Sequence, residues 1–429
     1  MLSCEGQARL GHEVHLAFGP IYGPEGSLLE RVRQFNLRVG RGEETPSADL
    51  PCLPITTHEV PDLVREVRPL RDLRARAELL GLIARLQPDV VHTHSSKAGV
   101  LGRAAAWEFA RRRARAGARF AAPAVVHTIH GPPFMPIDGG VLNRLKRRVN
   151  NFVYTHAERF AAKRCHTIVS VADAMTRQFL ARNIGTSEQY VTVRSGMETG
   201  PYLHAAPGES RDEVRAALGL APTDFLIGTV ARLAEHKGHD DLLDALAPDL
   251  KSRPGWKLLW VGDGWWRERL LTKARSMGLN VVEASLSPET GSAVRAENSR
   301  AHILLTGLVP PERVPALVRA MDVLAHPSYR EGLPRTVPQA LLAGVCPLAY
   351  DVDGTGEICR DMQTGRLVQL ADTGALRDAA RWLYDHPDER TAMAHRGRSE
   401  CAEAFSADRM VQELAVVYKH ALTRARGAT

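Results

Sequence analysis

Short apolar runs alternate with longer helical patterns along nearly all of this chain, and that alternation decides the fold class. Val14–Phe18, Val90–His94, Val125–His130 and Thr167–Val171 have the length and apolar character of buried strands. Leu70–Leu86 repeats leucine at helical spacing. A second series of the same kind runs from Asp224 to about Phe405. Strands joined by helices predict parallel sheets with crossover connections, an α/β fold. The chain's 429 residues exceed one ordinary core, so two domains are expected. Gly200–Glu209, rich in Pro, Gly and Ala, is the expected linker. The last helical stretch, Ala407–Arg424, carries an apolar stripe of Met410, Leu414, Val417, Tyr418 and Leu422.

Composition narrows the function classes. Fifty-six basic against 49 acidic residues leave +7, a moderate excess with no nucleic-acid-binding motif beside it. The six cysteines are scattered without C-x-x-C spacing, which favours reduced thiols in the cytoplasm over a disulfide framework. No run approaches the ~18 apolar residues of a membrane span, and no basic-then-apolar leader opens the chain. The expectation is a cytoplasmic protein, soluble or peripheral on the inner face of the membrane.

The most informative stretch is residues 331–339, Glu-Gly-Leu-Pro-Arg-Thr-Val-Pro-Gln. A carboxylate precedes a tight Gly-Leu-Pro turn, and an apolar helix start follows. Backbone N–H groups at such a start suit an anion such as phosphate. Upstream, Ala231-Arg232-Leu233-Ala234-Glu235-His236-Lys237-Gly238 supplies two cations just after an apolar strand. An anion cradle, a carboxylate and paired cations together suit a nucleotide diphosphate carrying a sugar.

In this order the pieces resemble the C-terminal half of family-4 retaining glycosyltransferases. Phe225–Arg232, Leu258–Gly264, Ile303–Val309, Asp322–His326 and Pro347–Glu357 follow that family's strand order. Pro88–His94 and His127–Gly131 resemble strands of its N-terminal half. The resemblance implies the GT-B architecture: two facing Rossmann-like domains with an interdomain cleft. The expected division is 1–203 on the acceptor side, 204–405 for the nucleotide sugar, and a final helix, 406–429, crossing back to the first domain. Two departures stand out. Met1–Arg9 resembles the end of the family's first helix, so its first strand and Gly-rich loop are expected to be absent, through a late start codon or a natural truncation. Asn280–His302 is a polar insertion of roughly twenty residues, expected to be a surface loop.

Arg232 and Lys237, standing alone, would be solvated surface cations. The resemblance makes them ligands of the leaving diphosphate, where preorganised cations stabilise developing charge. Glu331 is either a helix-capping carboxylate or, by resemblance, the acceptor of hydrogen bonds from donor-sugar hydroxyls. The resemblance assigns the amides around Gly332 and Leu333 to the diphosphate, and Val309 is a further nucleotide-site candidate. Gln339 stands where the family carries a second glutamate for the ribose hydroxyls; it keeps an acceptor oxygen and loses the charge. His130, before Gly131-Pro132-Pro133, matches a family histidine close to the donor sugar.

Other features have plainer readings. His92 and His94 share a strand face but lack further ligands for zinc, and are expected at the core or cleft edge. Ser95–Gly99 reads as a turn that offers an acceptor contact. Val261-Gly262-Asp263-Gly264 reads as a strand-end turn, not a dinucleotide site. Leu142–Phe160 is an amphipathic pattern with a basic flank, either a packed helix with a solvated face or one lying on an anionic bilayer. No Asp-x-Asp pair occurs where a metal would be expected. The implied activity is metal-independent, retaining transfer from a nucleotide sugar, expected to be UDP-linked, to a sugar, lipid-linked or small-molecule acceptor, in polysaccharide or glycolipid synthesis. No cofactor is expected beyond that donor substrate. The rivals are a UDP-N-acetylglucosamine 2-epimerase and a nucleotide-sugar-binding protein without catalysis.

Overall fold

The computed structural model describes residues 1–21, 27–47, 50–117, 122–134, 141–284 and 300–427. It divides into two compact units, Met1–Met197 with Ala407–Thr429, and Glu198–Ser406. Most of the polar insertion at 280–302 lies outside the described residues.

In the first unit the order is α1 (Leu2–Arg9), β1 (His15–Phe18), α2 (Leu29–Gly40), β2 (Thr56–Glu59), α3 (Pro69–Leu86), β3 (Val90–His94), α4 (Ser96–Arg115), β4 (Ala124–Ile129), α5 (Val141–Ala162), β5 (Thr167–Ser170), α6 (Asp173–Leu180) and β6 (Tyr190–Thr192). β1 pairs with β2, and β3-β4-β5-β6 form a separate sheet; every pairing is parallel. β4 and β5 are buried at every position, as strands covered on both faces should be. Among the polar groups this run carries, His127 Nδ1 lies 3.1 Å from the Thr93 carbonyl oxygen. The chain's last helix belongs to this unit. Its apolar stripe sets Leu414, Val417 and Ala421 against Ala124, Val126 and Val169 in one buried cluster.

The second unit runs α7 (Gly200–Leu203), α8 (Arg211–Ala217), β7 (Phe225–Val230), α9 (His239–Ser252), β8 (Trp256–Val261), α10 (Arg267–Ser276), β9 (Val281–Glu283), β10 (Ile303–Leu305), α11 (Val314–Ala320), β11 (Val323–His326), α12 (Thr336–Leu342), β12 (Cys346–Tyr350), β13 (Arg366–Val368), α13 (Thr373–Asp385) and α14 (Pro387–Ala404), with α15 (Ala407–Gly427) returning to the first unit. Its seven strands are all parallel in the order β13-β12-β11-β7-β8-β10-β9. Alternate residues feed opposite faces: Ile227 and Leu258 join Leu242 and Leu246, while Leu226 and Leu259 join Leu317 and Met321. The sheet is therefore covered on both sides. Gly200–Leu203, expected in a linker, is instead the short helix α7, because Pro201 at its first turn is compatible with helix.

Candidate functional site

The second sheet changes direction between β7 and β11. The connection from β7 leads through α9 to β8 on one side, and that from β11 leads through α12 to β12 on the other. Crevices for ligands open at such a switch point, outside the carboxyl ends of the strands. The two motifs singled out in the sequence are the loops that leave those two strands.

Those loops are held in close contact. Gly238 has φ +68°, and a Cβ there would lie 1.9 Å from the Pro327 carbonyl oxygen, so glycine is required on both counts. The Tyr329 N–H donates to the His236 carbonyl at 2.9 Å. Lys237, ending the single turn Glu235–Lys237, thereby brings its Nζ within 2.6 Å of Glu331 Oε1. His326, the last residue of β11, sets its Nε2 3.2 Å from the same oxygen. The other ring nitrogen of His326 lies 3.1 Å from the Thr336 hydroxyl at the start of α12. From the far side, Asp353 Oδ2 accepts the Glu331 N–H at 2.7 Å, and the Gly354 N–H donates to the Gly332 carbonyl at 3.2 Å. Tyr329 and Tyr350 both donate to Asp241 Oδ2, at 2.6 and 2.8 Å, which ties this loop to α9.

These partners set the charge state. Burial alone would raise the pKa of Glu331; the imidazole of His326 and the ammonium of Lys237 overcome it and hold the carboxyl well below the usual range. Glu331 is thus an ionised acceptor at neutral pH. Arg232 leaves β7 on the same loop as Lys237, its guanidinium 5.4 Å from the centre of the Trp265 ring. That loop rests on the end of β8, where Leu233 N–H donates to the Asp263 carbonyl at 3.0 Å. Side chains at Gly262 or Gly264 would each collide with backbone oxygens of Ala231 or Leu233, at 2.3 Å, which explains the Val-Gly-Asp-Gly turn.

The remaining sequence-predicted residues are spread more widely. Gly332 is buried and Leu333 half-buried, in the turn before α12, which begins only at Thr336. Gln339 is half-buried on α12. Val309 follows β10, two strands from β7, and is packed beside the Leu226–Leu317 cluster. His130 belongs to the first unit. It follows β4, with Nε2 3.0 Å from His94 Nδ1 at the end of β3. His92 is used internally, bonded to Tyr418 and Thr128 at 2.8 and 2.7 Å. Desolvation, and after it the neighbouring His130, push His94 down to about 3. His92 and His127 are likewise held low, foremost by burial. Lys97, in the turn expected to meet an acceptor, instead gives its ammonium to Asp72 and the carbonyls of Val64 and Glu66. Among the described residues, no group of three or more His, Cys, Asp or Glu is arranged to hold a metal ion.

Sequence reasoning did not single out His326, Thr336 or Asp353. His326 was visible only as a strand-ending polar residue directly before the Glu331 turn, and Asp353 only as the start of Asp-Gly-Thr-Gly-Glu.

Known proteins match this description. Residues 224–386 match the family model for glycosyl transferases group 1, and residues 2–196 that for a glycosyl transferase 4-like domain. The UDP-Gal:alpha-D-GlcNAc-diphosphoundecaprenol alpha-1,3-galactosyltransferase of Escherichia coli is 24% identical over 392 residues, covering 90% of this chain and 89% of that one. Among solved structures, a glycosyltransferase from Rickettsia africae superposes with a TM-score of 0.69 at 16% identity, over 98% of this chain and 93% of that one. HepE of Anabaena, crystallised with UDP and glucose, gives 0.65 at 16% identity, over 95% and 100%. Fold and matches together define a glycosyltransferase of the GT-B class that uses a nucleotide-sugar donor. Within that class, the chain belongs to family 4.

Proposed function

We propose that this enzyme moves a sugar from a UDP-linked donor to an acceptor hydroxyl with retention of configuration and without a metal ion. The observation that carries the reading is Glu331, kept ionised by Lys237 and His326 at the sheet's switch point, with Arg232 on the adjoining loop. Arg232 and Lys237 take the diphosphate and stabilise the charge that grows on it as the sugar leaves. Glu331 accepts hydrogen bonds from donor-sugar hydroxyls, and the amides of Gly332 and Leu333 meet the diphosphate. Gln339 meets the ribose, Val309 lines the nucleotide site, and His130 lies by the donor sugar. The bond from the anomeric carbon to the diphosphate breaks as the acceptor oxygen bonds on the same face, and the acceptor's proton passes to a diphosphate oxygen. The protein's share is positioning and electrostatics. The E. coli relative acts on a diphosphoundecaprenol-linked sugar, and HepE binds UDP, which supports a UDP donor, a sugar or lipid-linked acceptor in polysaccharide or glycolipid synthesis, and work at the cytoplasmic face of a membrane.

Incubation with radiolabelled nucleotide sugars and a panel of acceptors, with and without EDTA, tests this reading. Transfer with the donor's anomeric configuration, undiminished by EDTA, is the expected result. Isomerised donor would indicate an epimerase, and binding without transfer or hydrolysis would indicate a silent protein; either outcome overturns the proposal.

A further inference from the structure

The first unit exposes an apolar stripe that its own packing leaves uncovered. On α5, Leu145, Val149, Phe152, Val153 and Phe160 are each between 47 and 64% exposed. Their spacing by three and four puts them on one face of the helix. His156 completes the row, its ring 4.0 Å from that of Phe152. The helix cannot roll to hide this face, because its opposite side is pinned. Glu158 forms a fully buried ion pair with Arg103 at 2.7 Å, and Ala161 and Ala162 are buried; on the flank, Arg159 donates to the Arg182 carbonyl at 2.8 Å.

Charge decides what the stripe fits. Between Arg144 and Arg164 the sequence holds one carboxylate, Glu158, and that one is buried and spent. Lys146 and Arg148 are exposed on either flank of the stripe. Arg164 lies 3.5 Å over the Phe160 ring and 5.8 Å from that of Trp107, itself 42% exposed, so the patch continues onto α4 through aromatic groups. In a two-fold dimer through this face, cations would meet cations. A lipid surface answers each feature: acyl chains take the apolar row, anionic headgroups take the flanking cations, and tryptophan and phenylalanine sit at the boundary. From Leu145 to Phe160 the stripe offers a contact of about 23 Å, lying in the plane rather than crossing. Among the described residues, no helix is long and apolar enough to cross a membrane.

We infer that the exposed face of α5, with Trp107, docks the enzyme onto an anionic membrane surface. The inference deepens the proposed use of a membrane-borne acceptor and rests on that reading for its purpose, while the surface itself is tested without turnover.

The test is sedimentation of the full chain with phosphatidylcholine vesicles, pure or mixed with phosphatidylglycerol. Partition is expected onto the mixed vesicles, falling steeply with salt. Two double variants probe separate causes: Phe152→Ser with Val153→Ser removes the apolar row, and Lys146→Glu with Arg148→Glu reverses the flanks. Each should weaken partition roughly tenfold or more, given ~1 kcal/mol per surface cation. All four positions are exposed, so melting temperature and UDP affinity should stay at the wild-type level. UDP affinity and transfer to a water-soluble acceptor report the proposed activity separately. No partition onto anionic vesicles, or partition untouched by both variants, overturns the inference. So does lipid-free self-association that the serine variant abolishes, which would make a second copy the occupant.

Discussion

Both units place chemistry-bearing side chains just beyond the ends of parallel strands, yet the two clusters hold charge in opposite ways. In the second unit, Glu331 sits between Lys237 and His326 and is kept ionised against its own burial. In the first, His94 and His130 face each other at 3.0 Å, with desolvation and mutual repulsion keeping His94 neutral. Opposite charges in a half-buried site stabilise one another, whereas like groups suppress each other's ionisation. The second cluster is therefore a fixed field suited to a diphosphate and to sugar hydroxyls. In the first, His92, His94 and His127 are neutral hydrogen-bonding groups. Transition-state stabilisation is expected to come mainly from the second.

The largest effect should come from removing the cations. Lys237→Ala and Arg232→Ala are each expected to lower kcat by ~10²-fold or more, the scale of a lost stabiliser of developing charge. Arg377→Ala, outside the motifs, is the control. Arg319 would be a poor one, since it donates to the carbonyls of Pro201, His204 and Glu209 and so has a structural task. Wild-type turnover in the Lys237 and Arg232 variants would put the working charges elsewhere.

Next in size is a stability effect. Removing one member of a buried charge cluster leaves the others under-satisfied, so Glu331→Gln should cost roughly 1–3 kcal/mol at neutral pH. The folded pKa of Glu331 lies below the ordinary carboxyl value of 4.5. Its contribution is therefore fully present above that value and is lost as pH falls through the folded pKa. The gap in denaturation midpoint between wild type and variant should accordingly narrow as pH drops below about 4.5. A gap that stays constant with pH would show that Glu331 is not charge-stabilised.

A smaller effect is expected at Gln339. If it reads the ribose, Gln339→Glu should tighten UDP binding by about 1–2 kcal/mol, the gain when an acceptor becomes charged. A 2′-deoxyuridine analogue should shrink that gain. Calorimetric titration returning equal affinities for both variants and both nucleotides would take Gln339 out of the ribose site.

The fold was legible where periodicity governs. Val90–His94 is β3 as read, and the Leu70–Leu86 repeat is α3 with one residue added. The apolar row at 410–422 lies in the last helix, because core burial demands such a stripe. The loops that carry Arg232, Lys237 and Glu331 were legible as turns leaving strands, because they obey local turn chemistry; the resemblance, not the turns, implied roles for those side chains. What the sequence could not display was where a side chain is used over long range. Lys97 is bound to Asp72 on another helix, and His92 to Tyr418 on the last one. The roles of His326 and Asp353 arise only when β11 and the 353–354 turn converge on Glu331. Gly200–Leu203 misled because proline and glycine also open helices.

The smallest expected change tests the first cluster directly. His94 is held low by three causes, desolvation first, the charge of His130 second and that of the N-terminal amine third. His130→Ala removes only the second, so the His94 pKa should rise toward its ordinary value of 6.5 without reaching it. Because the folded pKa is depressed, His94 contributes stability that is present above 6.5 and lost as pH falls toward the folded value. Raising the folded pKa in the variant should therefore end the loss of stability at a higher pH than in the wild type, where it continues down to about 3. Histidine-selective NMR titration of wild type and variant measures the shift, and denaturation at several pH values measures the slope. A His94 resonance that titrates identically in both proteins would mean that the charge of His130 plays no part in neutralising it. The contrast between the clusters would then be one of solvent access, not of charge against charge.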